Sequence, residues 1–240
     1  MTRKYPTPGE VVRSLLFYVA FYLGTAYYVL AALAWLPFNR ERFVQAVLGW
    51  SRFHRKCASR LLGINVVVRG ELPLSGALVA LKHESFFEAI DLPNMMALPA
   101  IIAKAELLRI PLWGKAGASY GLIGVERDQG AKALRTMLAA ARKMIASGRL
   151  LAIFPEGRRV PHGAVAPLGS GFAGLYKLFK LPVVPIALDS GPLYHRWWKR
   201  PGTITLLVGE TIPPGLAREE LEARVTVAIN ALNNNTPATS

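Results

Sequence analysis

From residue 14 to residue 39 the chain carries no charged side chain, and Leu, Val, Ala, Phe and Tyr dominate the run. This exceeds the ~18 apolar residues at which burial in a bilayer becomes the default reading. Ala32, Leu33 and Ala34 mimic a signal-peptidase site, but the run is longer than the usual ~7–15 residue signal core, which favours a retained anchor. Tyr5, Tyr18, Tyr22, Tyr27, Tyr28 and Trp35 suit a membrane–water interface, where a ring can be half wet. Arg3, Lys4 and Arg13 precede the run, and Arg40, Arg42, Arg52, Arg55, Lys56 and Arg60 follow it. Positive charge on both sides orients the segment only weakly, with the heavier side after it. Residues 40–62 read as a second helix whose apolar positions are Phe43, Val47, Leu48, Trp50, Phe53 and Leu61. The expected division is therefore a membrane-anchoring element at 1–62 and a separate domain at 63–240.

At 240 residues, 52% of them hydrophobic, the chain can bury one sizeable core plus that extension. Strand patterns fall at 64–68, 78–81, 100–103, 122–125, 150–154, 183–188 and 204–208. Helical patterns fall at 87–97, 131–147, 171–178 and 218–232, with Gly148 as a helix stop. Such alternation predicts an α/β fold with a mostly parallel or mixed sheet flanked by helices. Cys57 is the only cysteine, which excludes an internal disulfide framework and suits packing. Residues 233–240 are polar and read as a frayed end. The formal charge of +14 fits an anionic membrane surface beside a hydrophobic segment. A nucleic-acid partner would call for bases interleaved with stacking aromatics, and the sequence lacks that pattern.

Two constellations carry chemistry. His83 is followed five positions later by Glu88, which pairs a base with an acid that can orient it. On a continuous helix residues five apart do not face each other, so His83 must sit in the turn after the second strand and Glu88 in the first helical turns. Glu84 is adjacent and points away, and Asp91 lies ~12 Å further along the axis at ~1.5 Å per residue. Phe-Pro-Glu-Gly-Arg-Arg at 154–159 places a carboxylate, Glu156, and two guanidinium groups, Arg158 and Arg159, on a tight turn at a strand end, with Gly157 serving the turn. Together they point to a site that removes a proton from an alcohol beside a bound phosphate. His83, Lys104, Arg127 and Glu156 each follow the carboxyl end of a strand candidate, where open α/β sheets place ligands. Ser85 lacks the strained Gly-x-Ser-x-Gly elbow of a hydrolase nucleophile and reads as a helix cap. His54 and His162 read as exposed and ordinary. His195 belongs to a basic-aromatic cluster at 194–200 suited to an interface or to packing. The histidines show no metal-ligand spacing, so no metal is expected.

These residues resemble a known family. His-x4-Glu (His83, Glu88), Gly-Leu-Ile-Gly-Val-Glu-Arg (121–127), Phe-Pro-Glu-Gly-Arg-Arg and Val-Val-Pro-Ile-Ala-Leu (183–188) look like the four ordered motifs of the glycerolipid acyltransferases, and most closely the bacterial 1-acyl-glycerol-3-phosphate branch. The resemblance runs from about residue 63 to residue 209. It departs in two places: Glu88 stands where the family box usually has Asp, and Arg158 where it usually has Thr. Arg159 then matches the family arginine.

The resemblance implies direct transfer of a fatty-acyl group, without an acyl-enzyme, from acyl-CoA or acyl carrier protein to the sn-2 hydroxyl of lysophosphatidic acid. His83 and Glu88 would be catalytic. Lys104, Arg127, Glu156, Gly157, Arg158 and Arg159 would bind substrate, Glu156 at the glycerol hydroxyl, as an organiser of the arginines or in a purely structural role. The hydrophobic residues of 183–188 would be core or the wall of an acyl site. The family precedent favours a two-helix element embedded in one leaflet over a plain span, at the bacterial inner membrane with the catalytic domain facing the cytoplasm. No metal or organic cofactor is implied. Rival readings are the same chemistry on another lysolipid such as a lyso-ornithine lipid, a non-catalytic lipid binder on the same scaffold, and a membrane-anchored nucleic-acid binder.

Overall fold

The strand β2 (Leu78–Leu81) and the strand β6 (Val183–Leu188) are buried at every residue, as their unbroken apolar runs require of strands covered on both faces. They pair in parallel at the middle of a seven-stranded sheet in the computed structural model, which describes residues 5–126 and 130–234. The remaining strands are β1 (Ile64–Arg69), β3 (Ala100–Lys104), β4 (Leu122–Val125), β5 (Leu151–Ile153) and β7 (Gly202–Val208). Their order across the sheet is β1-β7-β6-β2-β5-β3-β4. All neighbours run parallel except β6 and β7, so the expected mixed sheet is the one observed.

Strand alternation divides the core in two. Val79, Leu81, Ala152, Val184, Ile186 and Leu188 face one layer; Leu78, Ala80, Leu151, Ile153 and Val183 face the other. The first layer packs against α1 (Pro8–Trp35), α2 (Arg40–Cys57) and α3 (Phe87–Met95), and the second against α5 (Gly130–Ala146), α6 (Ser170–Phe179) and α8 (Arg218–Ile229), once α4 (Trp113–Tyr120) and α7 (Gly191–Tyr194) are placed in chain order. Helices thus cover both faces of the sheet.

Thr7 and Glu10 start α1 with reciprocal capping bonds. Phe17 is buried against the core, whereas Leu15, Leu16, Val19, Tyr22, Leu23, Tyr27 and Leu30 point outward. Among the described residues α1 is the one helix long and apolar enough to cross a membrane. α2 packs along it: of the expected apolar positions Phe43 is buried and Val47, Phe53 and Leu61 pack against the core, and Ser51, His54 and Cys57 also face inward. Two polar groups are tolerated there because each is bonded, Ser51 Oγ to the Ile90 carbonyl at 2.8 Å and His54 Nε2 with the Tyr194 hydroxyl at 2.7 Å.

Candidate active site

β2 is followed by Lys82 and His83, and the continuing period of two sends their side chains to opposite faces of the sheet. His83 turns toward α3. Its Nδ1 lies 2.9 Å from Glu88 Oε1, in the first turn of that helix. The imidazole stacks on the Phe154 ring, with centroids 4.1 Å apart and planes 22° apart. A neutral imidazole that donates Nδ1–H to Glu88 keeps the Nε2 lone pair as its acceptor, and the side chain is 16% exposed.

Glu88 is fully buried and saturated with donors. Oε1 accepts from His83 Nδ1, from the Glu84 N–H at 2.7 Å and from the Ser85 N–H at 2.6 Å. Oε2 accepts from Ser85 Oγ at 2.9 Å and Ser190 Oγ at 2.7 Å. Burial alone would push this carboxyl up, but the His83, Ser85 and Ser190 bonds outweigh it and hold it below the usual carboxylate range. Ser85 Oγ also accepts the N–H of Phe87, the first residue of α3, but the cap position falls on Phe86, so Ser85, the expected cap, stands one residue before it and supports Glu88. Ser190 was not anticipated. Its signal was its place just beyond the carboxyl end of β6, the position that flagged the other site residues.

Lys82 turns to the other face, where its ammonium donates to Glu156 Oε1 at 2.7 Å, the Ala164 carbonyl at 2.9 Å and Asn230 Oδ1 at 2.7 Å. Glu156 Oε2 accepts the His83 N–H at 3.3 Å. Glu156, expected among the substrate contacts or in a structural role, therefore faces inward and holds the backbone of His83. Gly157 has φ 66°, a left-handed turn conformation that favours glycine, and its N–H closes the turn on the Phe154 carbonyl at 2.9 Å. The next bonds return the chain to β2, where the Val160 N–H donates to the His83 carbonyl at 2.7 Å.

The cations divide. Arg159 lies over the exposed ring of Phe86 at 4.3 Å, just before α3, with Nη1 3.5 Å from His195 Nδ1. Burial and the Arg159 charge push the His195 imidazole down. Arg158 is exposed. Lys104 stands at the carboxyl end of β3, two strands from β2, and pairs with Glu106 at 2.8 Å on the exposed surface. Arg127 lies outside the described residues. The structure thus joins His83, Glu88, Glu156, Gly157 and Arg159 around one strand end, and leaves Lys104 at its margin.

Two histidines differ from expectation. His54 is fully buried among Phe17, Phe21, Phe87 and Tyr194, and burial, with Lys199 and Arg55 adding to it, pushes its imidazole down to about 3. His162 is not a lone surface group: its Nδ1 lies 2.9 Å from Glu84 Oε1. Glu84 indeed points away from His83, and Asp91 is taken by Arg55. The cluster at 194–200 is split, with Tyr194 and Lys199 buried and His195 and Trp197 exposed. Among the described residues no three His, Cys, Asp or Glu side chains gather as a metal site.

The site thus sets an imidazole and a buried carboxylate at one strand end of a mixed sheet, with an arginine nearby and an apolar helix along the domain. An acyltransferase family profile matches residues 63–189, and the chain belongs to that family. It is 33% identical over 210 residues to the 1-acyl-sn-glycerol-3-phosphate acyltransferase of Pseudomonas aeruginosa, covering 83% of this chain and 80% of that protein. To the Helicobacter pylori protein of the same name it is 31% identical over 143 residues, covering 58% of this chain and 59% of that one. The crystal structure of the 1-acyl-sn-glycerophosphate (LPA) acyltransferase PlsC from Thermotoga maritima shares the fold, with a TM-score of 0.73 at 24% identity over 93% of this chain and 96% of that one.

Proposed function

We propose that this acyltransferase moves a fatty-acyl group from a thioester, acyl-CoA or acyl carrier protein, to the sn-2 hydroxyl of 1-acyl-sn-glycerol 3-phosphate, forming phosphatidic acid for phospholipid synthesis. The single observation that carries the chemistry is the 2.9 Å bond from His83 Nδ1 to a buried, donor-saturated Glu88. The names of the Pseudomonas aeruginosa and Helicobacter pylori relatives support the acceptor.

In this reading Nε2 of His83 takes the hydroxyl proton as the oxygen attacks the thioester carbonyl. Glu88 stabilises the imidazolium and fixes the tautomer. The tetrahedral oxyanion then collapses, the carbon–sulfur bond breaks, and the imidazolium returns its proton to the thiolate. The ester and a free thiol are the products. Arg159 binds the acceptor phosphate, since a guanidinium fork matches phosphate oxygens. Arg127 and Arg158 join it, Lys104 adds charge at the margin, and Glu156 and Gly157 hold the turn that carries the arginines. Residues 1–62 anchor the enzyme at an anionic inner-membrane surface through the outward apolar side of α1 and the exposed Arg52, Lys56 and Arg60 of the segment that follows it, and residues 63–240 form the catalytic domain on the cytoplasmic side.

The test is mass spectrometry of the products when the purified protein meets mixed lysolipids and mixed thioesters. Phosphatidic acid made from lysophosphatidic acid is the expected product. Acylation confined to a lyso-ornithine lipid would keep the chemistry and replace the acceptor, and no acylated product at all would refute the reading.

A further inference from the structure

Glu84 carries a buried carboxylate that the proposed reaction leaves without a role. Its two oxygens make ties between segments far apart in sequence: Oε1 to His162 Nδ1 at 2.9 Å, in the loop after β5, and Oε2 to the Gly191 N–H at 2.8 Å, at the start of α7. Its own N–H donates to Glu88 Oε1 at 2.7 Å. The residue before Gly191 is Ser190, whose hydroxyl donates to Glu88 Oε2 at 2.7 Å.

We infer that Glu84 and His162 form a second carboxylate–imidazole pair that positions the first, acting through the Ser190–Gly191 turn on Glu88. The inference rests on His83 being the base.

Each end of the link is constrained. Glu84 is 1% exposed and cannot relax into water. Gly191 approaches it so closely that a Cβ there would stand 3.0 Å from Glu84 Oε2 and 3.5 Å from the His162 Cβ. Any shift of the turn moves Ser190 Oγ off Glu88, and Oε2 then keeps only Ser85 as a donor. Oε1 keeps its two backbone N–H bonds, so the carboxylate tilts about them as Oε2 loosens, and the imidazole tilts with it. A displacement of about 1 Å at a base costs on the order of 10²-fold in rate.

Glu84 also titrates in the working range. Burial pushes the Glu84 carboxyl up to about 7 against the pull of the Gly191 N–H and His162, and the Glu88 charge adds to the rise. The groups facing it are His162 from the loop after β5 and Glu88 from α3, with Asp189 at the end of β6 near His162. At neutral pH Glu84 therefore changes charge beside the anion that orients His83.

The experiment compares the full-length protein with Glu84→Ala, Glu84→Gln and His83→Ala, following thiol release with lysophosphatidic acid from pH 5 to 9. Glu84→Ala cuts both ties and is expected to lower kcat on the order of 10²-fold while acceptor KM stays within about twofold. Glu84→Gln keeps an oxygen for Gly191 and an amide for His162, so it recovers most of kcat. Its kcat/KM profile then fits one ionisation where the wild type needs two. A folded Glu84→Ala with wild-type kcat overturns the inference, and where that variant fails to fold, a Glu84→Gln profile still needing two ionisations overturns it. Full activity in His83→Ala contradicts the base assignment itself, whereas an inactive His83→Ala beside an unaffected Glu84→Ala removes only this inference.

Discussion

Glu84 and Glu88 are four residues apart, equally buried, and pulled in opposite directions. Glu88 receives five donors, two of them backbone N–H groups, and its carboxyl is held down despite full burial. Glu84 receives one N–H and shares one contact with an imidazole, and its carboxyl rises to about 7. Burial alone does not decide the charge of an acid; the number of hydrogen bonds offered to its ionised form does. The donor-rich acid suits a partner for a proton-accepting histidine, which must stay charged through the reaction. The donor-poor acid suits a tie that can change its state.

The largest break in this comparison is Glu88→Ala. It leaves two backbone N–H groups and one hydroxyl of the bonded Ser85–Ser190 pair without an acceptor and removes the partner of His83. Each buried polar group left without a partner typically costs about 1–3 kcal/mol. At about 2–4 °C per kcal/mol for a chain of this size, calorimetry should show Tm lower by roughly 10 °C, with activity abolished. A Tm within about 2 °C of wild type would mean that those donors are satisfied in some other way.

Arg159→Ala leaves both acids intact and removes the cation beside them. A charge-assisted bond is worth about 1.5–3 kcal/mol, so the KM for lysophosphatidic acid should rise about tenfold or more. kcat should change far less. An unchanged KM would assign the acceptor phosphate to other cations.

The opposite shifts predict opposite pH slopes of stability. Glu84 is raised from its ordinary value of 4.5, so between pH 4.5 and 7 the folded state holds the proton more tightly and stability falls as pH rises. Glu88 is lowered, so its contribution is present above pH 4.5 and is lost as the medium is acidified below that point. Glu84→Gln removes only the first effect. Its stability relative to wild type should therefore improve from pH 5 to pH 7, approaching about 1.4 kcal/mol per pH unit. Parallel curves for the two proteins would contradict the assigned shift. The smallest effect is expected at Lys104, whose pair with Glu106 is exposed and screened by water; Lys104→Ala should leave Tm nearly unchanged and raise acceptor KM only slightly.

The strands were legible because apolar runs bounded by turns have one use in an α/β chain. The boundaries 78–81, 122–125 and 183–188 read from the sequence are those observed. α4 and α7 were not visible: the first is the glycine-containing Trp-Gly-Lys-Ala-Gly-Ala-Ser-Tyr, and the second is a single turn. The pairing of His83 with Glu88 followed from spacing, because only a turn followed by a helix brings residues five apart together. Glu156, Lys82 and Asn230 meet across 148 positions, and no local pattern announces that contact. His54 and His162 looked ordinary because histidine is compatible with surface and core alike. Their burial depends on Tyr194 and Glu84, partners that only the fold supplies.

In the proposed reaction His83 Nε2 accepts the proton of the attacking hydroxyl. The direct measurement is steady-state thiol release by His83→Ala, with a matched Tm to show that it is folded. General-base help is worth ~10²–10⁴ in rate, and kcat should fall by at least that much with substrate binding retained. A folded His83→Ala that turns over like the wild type would contradict the account.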